Sequence, residues 1–386
     1  MNTFSSDVIE EAVAWRRNLH KQPELAFHEQ KTADFVALQL ARFGFSVHRG
    51  LAGTGVVGTL SRGTSRRTIG VRADMDALPI EEKSGAAHAS TVKGVMHACG
   101  HDGHVAMLLA AARACAQCSD FDGTVHFIFQ PAEENEGGAK CMVDEGLFRL
   151  FPCDLIFALH NWPALPVGTY VARGGAVLAA FGVFEIAISG RGCHGAFPHE
   201  GTDVILAGCQ LVSALQSIVS RNTDPRQAAV VSATQINAGD TWNTIPDRCI
   251  IRGTTRWFDD NVGETIERRI CELSHAMATA FGCEVKMRYE RRFPATINDH
   301  DAVSLIRTVA AAEPLNLTEV TCEPSTGSED FAFMLQKVPG CYLLLGAAKS
   351  SDNHTLHSPQ FDFNDDVLPL GAGLWSALVR KYLSTG

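Results

Sequence analysis

Residues 95–104 read VMHACGHDGH: three histidines, a cysteine, an aspartate and two glycines in ten positions. A helix or strand built only for packing has no use for that mixture. Cys99 and His101 flank a single residue, so in extended backbone their side chains point the same way. Gly100 between them lets the chain bend around an ion. Thiolate and imidazole are good ligands for a borderline first-row metal; the plainer reading is a buried cysteine beside a capping histidine. Other candidates stand at the ends of apolar runs. TVHFIFQPAEE closes on Glu133 and Glu134, DLIFALHNWP carries His160, and TIGVRADMDAL carries Asp74 and Asp76. Far downstream, NHTLHSPQF supplies His354 and His357. A cap or a turn explains any one of them. Gathered at one place they are hard to explain without a metal.

The elements that must gather them are legible. SSDVIEEAVAWRRNLHKQPE and EQKTADFVALQLARFGF read as amphipathic helices, stopped near Pro23 and at Gly44. The runs GVVGTL, RTIGVRAD, TVHFIFQ and DLIFALH read as strands, with helices at GHVAMLLAAARACAQC and GGAKCMVDEGL between them. Strands of nearly continuous apolar character alternating with helices predict a buried, mainly parallel α/β sheet. In such a sheet the carboxyl ends of the strands form the ligand crevice, where the candidate residues fall.

Near residue 180 the texture changes. AFGVFEIAISGRG alternates, a helix fits 203–221, two more strands fit AAVVSATQINAG and RCIIRGTTRWF, a helix fits 261–281, and CEVKMRYERRF closes the set. This predicts a smaller α+β domain, an antiparallel sheet with two helices, inserted at 180–293 into an α/β domain of 1–179 and 294–386. His194 falls in a Gly-rich turn of the insert, a poor place for a core histidine.

Charge and composition exclude several classes. With 33 basic and 43 acidic residues and a net charge of −10, no basic cluster can track a phosphate backbone, so nucleic acid is not an expected partner. The first residues carry charges throughout and lack the apolar core of a signal peptide. No stretch approaches the roughly 20 apolar residues of a membrane span. A cytoplasmic protein with reduced thiols is expected, and the twelve cysteines are scattered. CAQC at 115–118 lies mid-helix among alanines and reads as packing. GTGVVG at 53–58 matches a dinucleotide fingerprint but leads into polar turn material instead of a helix.

The motifs RRNLHKQPEL, VRADMDALPI, GVMHACGHDGH, FQPAEE, HNWPALPVG, NTIPD, GSEDFAF and LHSPQF together resemble the M20 metallopeptidase family, in order and over nearly the whole chain. The resemblance is nearest to its amidohydrolase branch, the N-acyl-amino-acid, hippurate and auxin-conjugate hydrolases. It implies a catalytic domain with an inserted lid and dimerisation domain. Cys99, His101, Glu134, His160 and His357 are then the ligands of two divalent ions, manganese, zinc, cobalt or nickel. Glu133 is the general base, and Asp76 orients a ligand. His194 is the residue that reaches the partner subunit's site and stabilises the oxyanion. Asn243 and Arg256 hold the substrate's carboxylate or carbonyl. A departure from the pattern is Cys193, where glycine or alanine is expected. The resemblance implies a homodimer, with a dimer of dimers open, and hydrolysis of an N-acetyl, N-benzoyl or similar amino acid. Two alternatives stay open: a dipeptidase or carboxypeptidase, with Glu329 or Asp330 meeting a substrate ammonium, and a ligand-binding homologue without activity.

Overall fold

The computed structural model describes residues 6–134, 136–312, 314–349 and 354–384. It has two units, one formed by Met1–Val177, Thr296–Glu323 and Asp330–Gly386, the other by Leu178–Ala295 and Pro324–Glu329.

In the first unit the apolar runs become the centre of an eight-stranded sheet. Its order is Ser46–Leu51, Gly55–Arg62, Gly123–Gln130, Thr68–Asp74, Leu155–Trp162, Gly340–Gly346, Thr169–Val171, Thr318–Glu319. The strands from Gly123–Gln130 to Gly340–Gly346 run parallel to one another and are buried almost throughout, as a sheet covered on both faces requires. The strands Ser46–Leu51 and Gly55–Arg62 pair antiparallel at one side, and Thr169–Val171 does so at the other. The helix His101–Gln117 packs with Ser6–Lys21 and Leu368–Tyr382. Because the central strands share one direction, Asp74, Gln130 and Trp162 end on the same edge, with Asp74 in register with Gln130. The helix expected over 137–147 divides into Gly138–Asp144 and Leu147–Leu150.

His126, in the strand Gly123–Gln130, is 4% exposed and its Nδ1 lies 2.9 Å from Thr59 Oγ1. Burial takes its pKa down to about 4 from 6.5, against a backbone contact with Pro152. The folded state thus holds this ring neutral where the unfolded chain already binds a proton. Its contribution is complete above pH 6.5 and is lost as pH falls from 6.5 towards 4. At 1.36 kcal/mol per pKa unit this is about 3 kcal/mol. His126→Asn is expected to flatten the fall in unfolding free energy over that window by up to this amount, as read from denaturant curves at successive pH values. Curves that run parallel for the two proteins would contradict it.

The second unit is a four-stranded antiparallel sheet ordered Ala229–Ala238, Arg248–Trp257, Ala180–Ser189, Glu284–Phe293, with the helices Val204–Ser217 and Asp260–Ala280. The architecture is therefore α/β with a mainly parallel sheet, plus a smaller α+β unit. By length and composition Val204–Asn222 is long and apolar enough to cross a membrane, which corrects the expectation that no stretch approaches that length. Its inner face nevertheless belongs to a packed core: Val204, Ala207, Leu211, Leu215 and Ile218 are buried with Ile186, Ile188 and Ile251 of the sheet. The apolar remainder, Ile205, Leu206 and Val219, is exposed, as are Ile236 on the edge strand, Phe197 and Trp242.

Candidate metal centre

The first unit brings the predicted ligands together in overlapping groups. The donor atoms of Cys99, His101 and His160 lie within 4.8 Å of one another, as do those of Cys99, Glu134 and His357, and those of His101, Glu133 and Glu134. Cys99 belongs to two of these groups. Its Sγ is 3.3 Å from His160 Nε2.

The backbone that achieves this differs from extended pointing. Gly100 has φ 92° and stands immediately before the helix His101–Gln117, so Cys99 approaches the helix start and His101 opens it. A Cβ at position 100 would stand 2.4 Å from Asn161 Oδ1. Only glycine satisfies both demands. His357 also has a left-handed φ, 64°, and its amide donates to Ala98 O at 2.8 Å, which ties the downstream loop to the Cys99 segment.

Neighbouring groups fix these side chains. Asp76 accepts from His101 Nδ1 through its carbonyl (2.9 Å) and Oδ1 (3.2 Å), while its Oδ2 accepts from the Glu134 amide (2.9 Å). His160 Nδ1 donates to Asn161 O at 2.7 Å. Both rings therefore turn Nε2 towards the cluster, the arrangement that orients metal-binding histidines. Asp74 is linked to Arg72 Nη1 (2.8 Å) and His104 Nδ1 (2.6 Å), and His104 Nε2 is 2.6 Å from Asn161 Oδ1. His104 is thus a strut under the cluster, engaged at both nitrogens.

The electrostatics ask for cations. Burial, and then the carboxylates of Glu134, Glu133 and Asp74, push the Cys99 thiol well above its ordinary range. Burial opposes charge on His101, but Asp74, Asp76 and Glu134 outweigh it and lift the ring to about 10. Burial pushes His160 well below the usual histidine range. Asp74 resists burial because His101, His104 and Arg72 hold it well below the carboxylate range. Two buried atoms, His101 Nε2 and Glu134 Oε1, have no hydrogen-bond partner, although Glu134 Oε1 lies 3.2 Å from His357 Nε2. Soft and borderline donors with orphaned lone pairs, in a field that favours positive charge, fit divalent transition metals. The sulfur shared between two groups fits a pair of ions.

Some sequence candidates fall elsewhere. His354 is exposed and lines a cavity of about 200 Å³ with Lys349 and Asp362. His97 is a buried ring that burial takes down to about 4. Asp330 is buried and accepts from Arg72 Nη2 (3.2 Å), Gln130 Nε2 (2.8 Å) and the Ala139 amide (2.8 Å).

In the second unit, His194 is exposed and pairs with Thr244 in a two-residue ladder. Its Nδ1 accepts the Ala196 amide at 3.0 Å, so in the neutral ring the proton sits on Nε2. The Gly195 amide donates to Asn243 O at 2.7 Å, fastening the His194 and Asn243 loops together. Arg256 lies 4.1 Å from the Phe181 ring centroid and donates to Thr326 O (3.1 Å) and Thr255 O (3.0 Å). Burial lowers its pKa, and three of its five N–H donors remain beyond those two bonds.

Residues 70–381 match the profile described as peptidase family M20/M25/M40. The chain is 39% identical over 372 residues to a hippurate hydrolase of Campylobacter jejuni subsp. jejuni, covering 95% of each chain. It is 37% identical to an N-acetyl-L-cysteine deacetylase of Bacillus subtilis, over 94% of this chain and 86% of the relative. Among solved structures it is similar to the Bacillus subtilis YXEP protein, described as a dinuclear metal binding peptidase from the M20 family, with 31% identity, 98% and 99% of the two chains covered and a TM-score of 0.85. With a matched region of that length and relatives alike over nearly all of their own chains, this protein belongs to peptidase family M20/M25/M40.

Proposed function

We propose that the chain is a metal-dependent amidohydrolase that cuts an N-acyl amino acid into a carboxylic acid and a free amino acid. The observation that carries this reading is Glu133, 8% exposed, grouped with His101 and Glu134 at a cluster whose donors suit two divalent ions. Cys99, His101, Glu134, His160 and His357 would hold the ions, manganese, zinc, cobalt or nickel, and Asp76 fixes His101 and Glu134. When bound, such ions acidify water and polarise an amide oxygen. Glu133 accepts the proton of the attacking water at its carboxylate and returns it to the departing nitrogen, so water is added across the C–N bond and nothing else is consumed. His194 offers Nε2–H to the oxyanion. Asn243 and Arg256 hold the substrate's carboxylate or carbonyl, Arg256 with its remaining donors.

The relatives named for hippurate and N-acetyl-L-cysteine support an acylated substrate. Of Glu329 and Asp330, the two carboxylates open to a dipeptide's ammonium, Asp330 is already engaged by Arg72, Gln130 and the Ala139 amide. A homodimer belongs to the same reading, supported by the exposed apolar face of Ile205, Leu206, Val219 and Ile236. So does a reducing, cytoplasmic setting, supported by twelve free thiols.

The test is a panel of N-acetyl and N-benzoyl amino acids and dipeptides, assayed after reconstitution with each metal. Release of amino acid from the acyl substrates, abolished by chelator, is the expected result. Cleavage of dipeptides alone replaces the reading with a dipeptidase; bound metal without cleavage of either replaces it with a binding protein. Cys99→Ala is expected to weaken metal binding by at least about 10-fold, measured by competition with a chromophoric chelator. Unchanged metal affinity would make Cys99 a packing residue.

A further inference from the structure

Glu29 is fully buried, immediately before the helix Gln30–Arg42. Its Oε2 accepts the Thr54 hydroxyl at 2.7 Å. Its Oε1 accepts two backbone amides, Phe27 at 3.1 Å and Ala132 at 2.9 Å. Both donors belong to residues with left-handed backbone, φ 62° at Phe27 and 56° at Ala132. That conformation is uncommon for residues with a Cβ and persists where the surroundings impose it.

Ala132 is the pivot between the strand end and the two glutamates. Pro131 follows the last residue of the strand Gly123–Gln130, and Glu133 follows Ala132. The Ala132 carbonyl accepts the Gly138 amide at 2.9 Å. A Cβ at Gly138 would stand 1.8 Å from Pro131 O, so the following helix closes on the turn from one side while Glu29 holds it from the other. A left-handed residue redirects the chain after it, so whatever holds Ala132 decides where Glu133 and Glu134 point.

We infer that Glu29 is a positioning residue, which sets the direction of Glu133 and Glu134 through the Ala132 amide. This rests on the roles proposed for those two glutamates. The hydroxyl of Thr54 and the two amides need one acceptor oxygen and one group able to pair with a hydroxyl, and a glutamine supplies both. Glu29→Ala takes this acceptor from the Phe27 amide and from the buried Ala132 amide. Glu29→Asp is one methylene too short to span from Thr54 to Ala132.

Two measurements are made on each variant: steady-state kinetics with saturating metal on the best acyl substrate, and metal affinity by chelator competition. Loss of a group that orients a metal ligand weakens affinity or activity by about 10–100-fold, and Glu29→Ala is expected to show that loss in kcat and in metal affinity while KM moves little. Glu29→Gln is expected to stay within about threefold of the wild type in both. If Glu29→Ala does not fold, Glu29→Asp carries the test, with a loss in the same direction. A folded Ala or Asp variant with a lowered melting temperature but wild-type kcat and metal affinity overturns the inference, since it describes a residue that only stabilises. A wild-type protein that cleaves no acyl amino acid overturns the proposed function instead, and chelator competition still reads the effect of Glu29 on Glu134.

Discussion

Glu133→Gln is expected to keep its metal and lose turnover by about 10²–10⁴-fold, the usual worth of a positioned general base. Glutamine has the same shape and still accepts a hydrogen bond, so the residues around the buried Glu133 have no reason to repack. What it cannot do is take a proton from water and hand it to nitrogen. Glu134→Gln should behave differently. The Glu134 carboxylate is grouped with Cys99 and His357, and its amide is held by Asp76 Oδ2 at 2.9 Å, the placement that its proposed role as a ligand asks for. That variant is expected to lose bound metal along with activity. The two glutamates are neighbours in sequence, which makes the pair a sharp test: metal analysis separates them where activity alone does not. Wild-type turnover in Glu133→Gln would sink the assignment, and loss of metal from Glu133→Gln alone would exchange the two roles.

The parallel strands were legible because burial on both faces leaves a nearly unbroken apolar run, and their carboxyl ends then name Asp74, Glu133, Glu134 and His160 by position alone. The short strands Thr169–Val171 and Thr318–Glu319 carry no such mark, since two or three residues have no period. Cys99 and His101 were legible as a pair for a reason that does not hold: Gly100 turns the chain into a helix at His101 instead of letting it run extended. The supporting partners were the least legible. His104 joins Asp74 to Asn161, 57 residues away, and Glu29 reaches Ala132 across 103. Such contacts are made by topology and leave no local pattern. One signal was available for Glu29, a carboxylate immediately before a helix, but a cap explains it equally well from sequence.

His194→Ala is expected to lower turnover by about 10²–10³-fold, the effect of removing one oxyanion donor at comparable sites. The Ala196 amide occupies Nδ1, so the ring has its donor on Nε2 whenever it is neutral. Unlike the ligands, His194 sits on the second unit, whose surface exposes Ile205, Leu206, Val219, Ile236 and a fully exposed Trp242. A second copy covering that face makes a two-fold assembly, in which a residue of one subunit can serve its partner's site. Mixing decides whether it does. Glu133→Gln and His194→Ala are each prepared as nearly inactive homodimers and combined under conditions that exchange subunits. If His194 acts in trans, the mixed dimer has one site with both defects and one with neither, and activity recovers as mixed dimers form. If it acts within its own subunit, each site of the mixed dimer keeps one defect and activity stays at the floor. The recovery is expected. A mixture that stays inactive while mass spectrometry shows the mixed dimer present would remove the trans role, and with it the link between the exposed apolar face and catalysis.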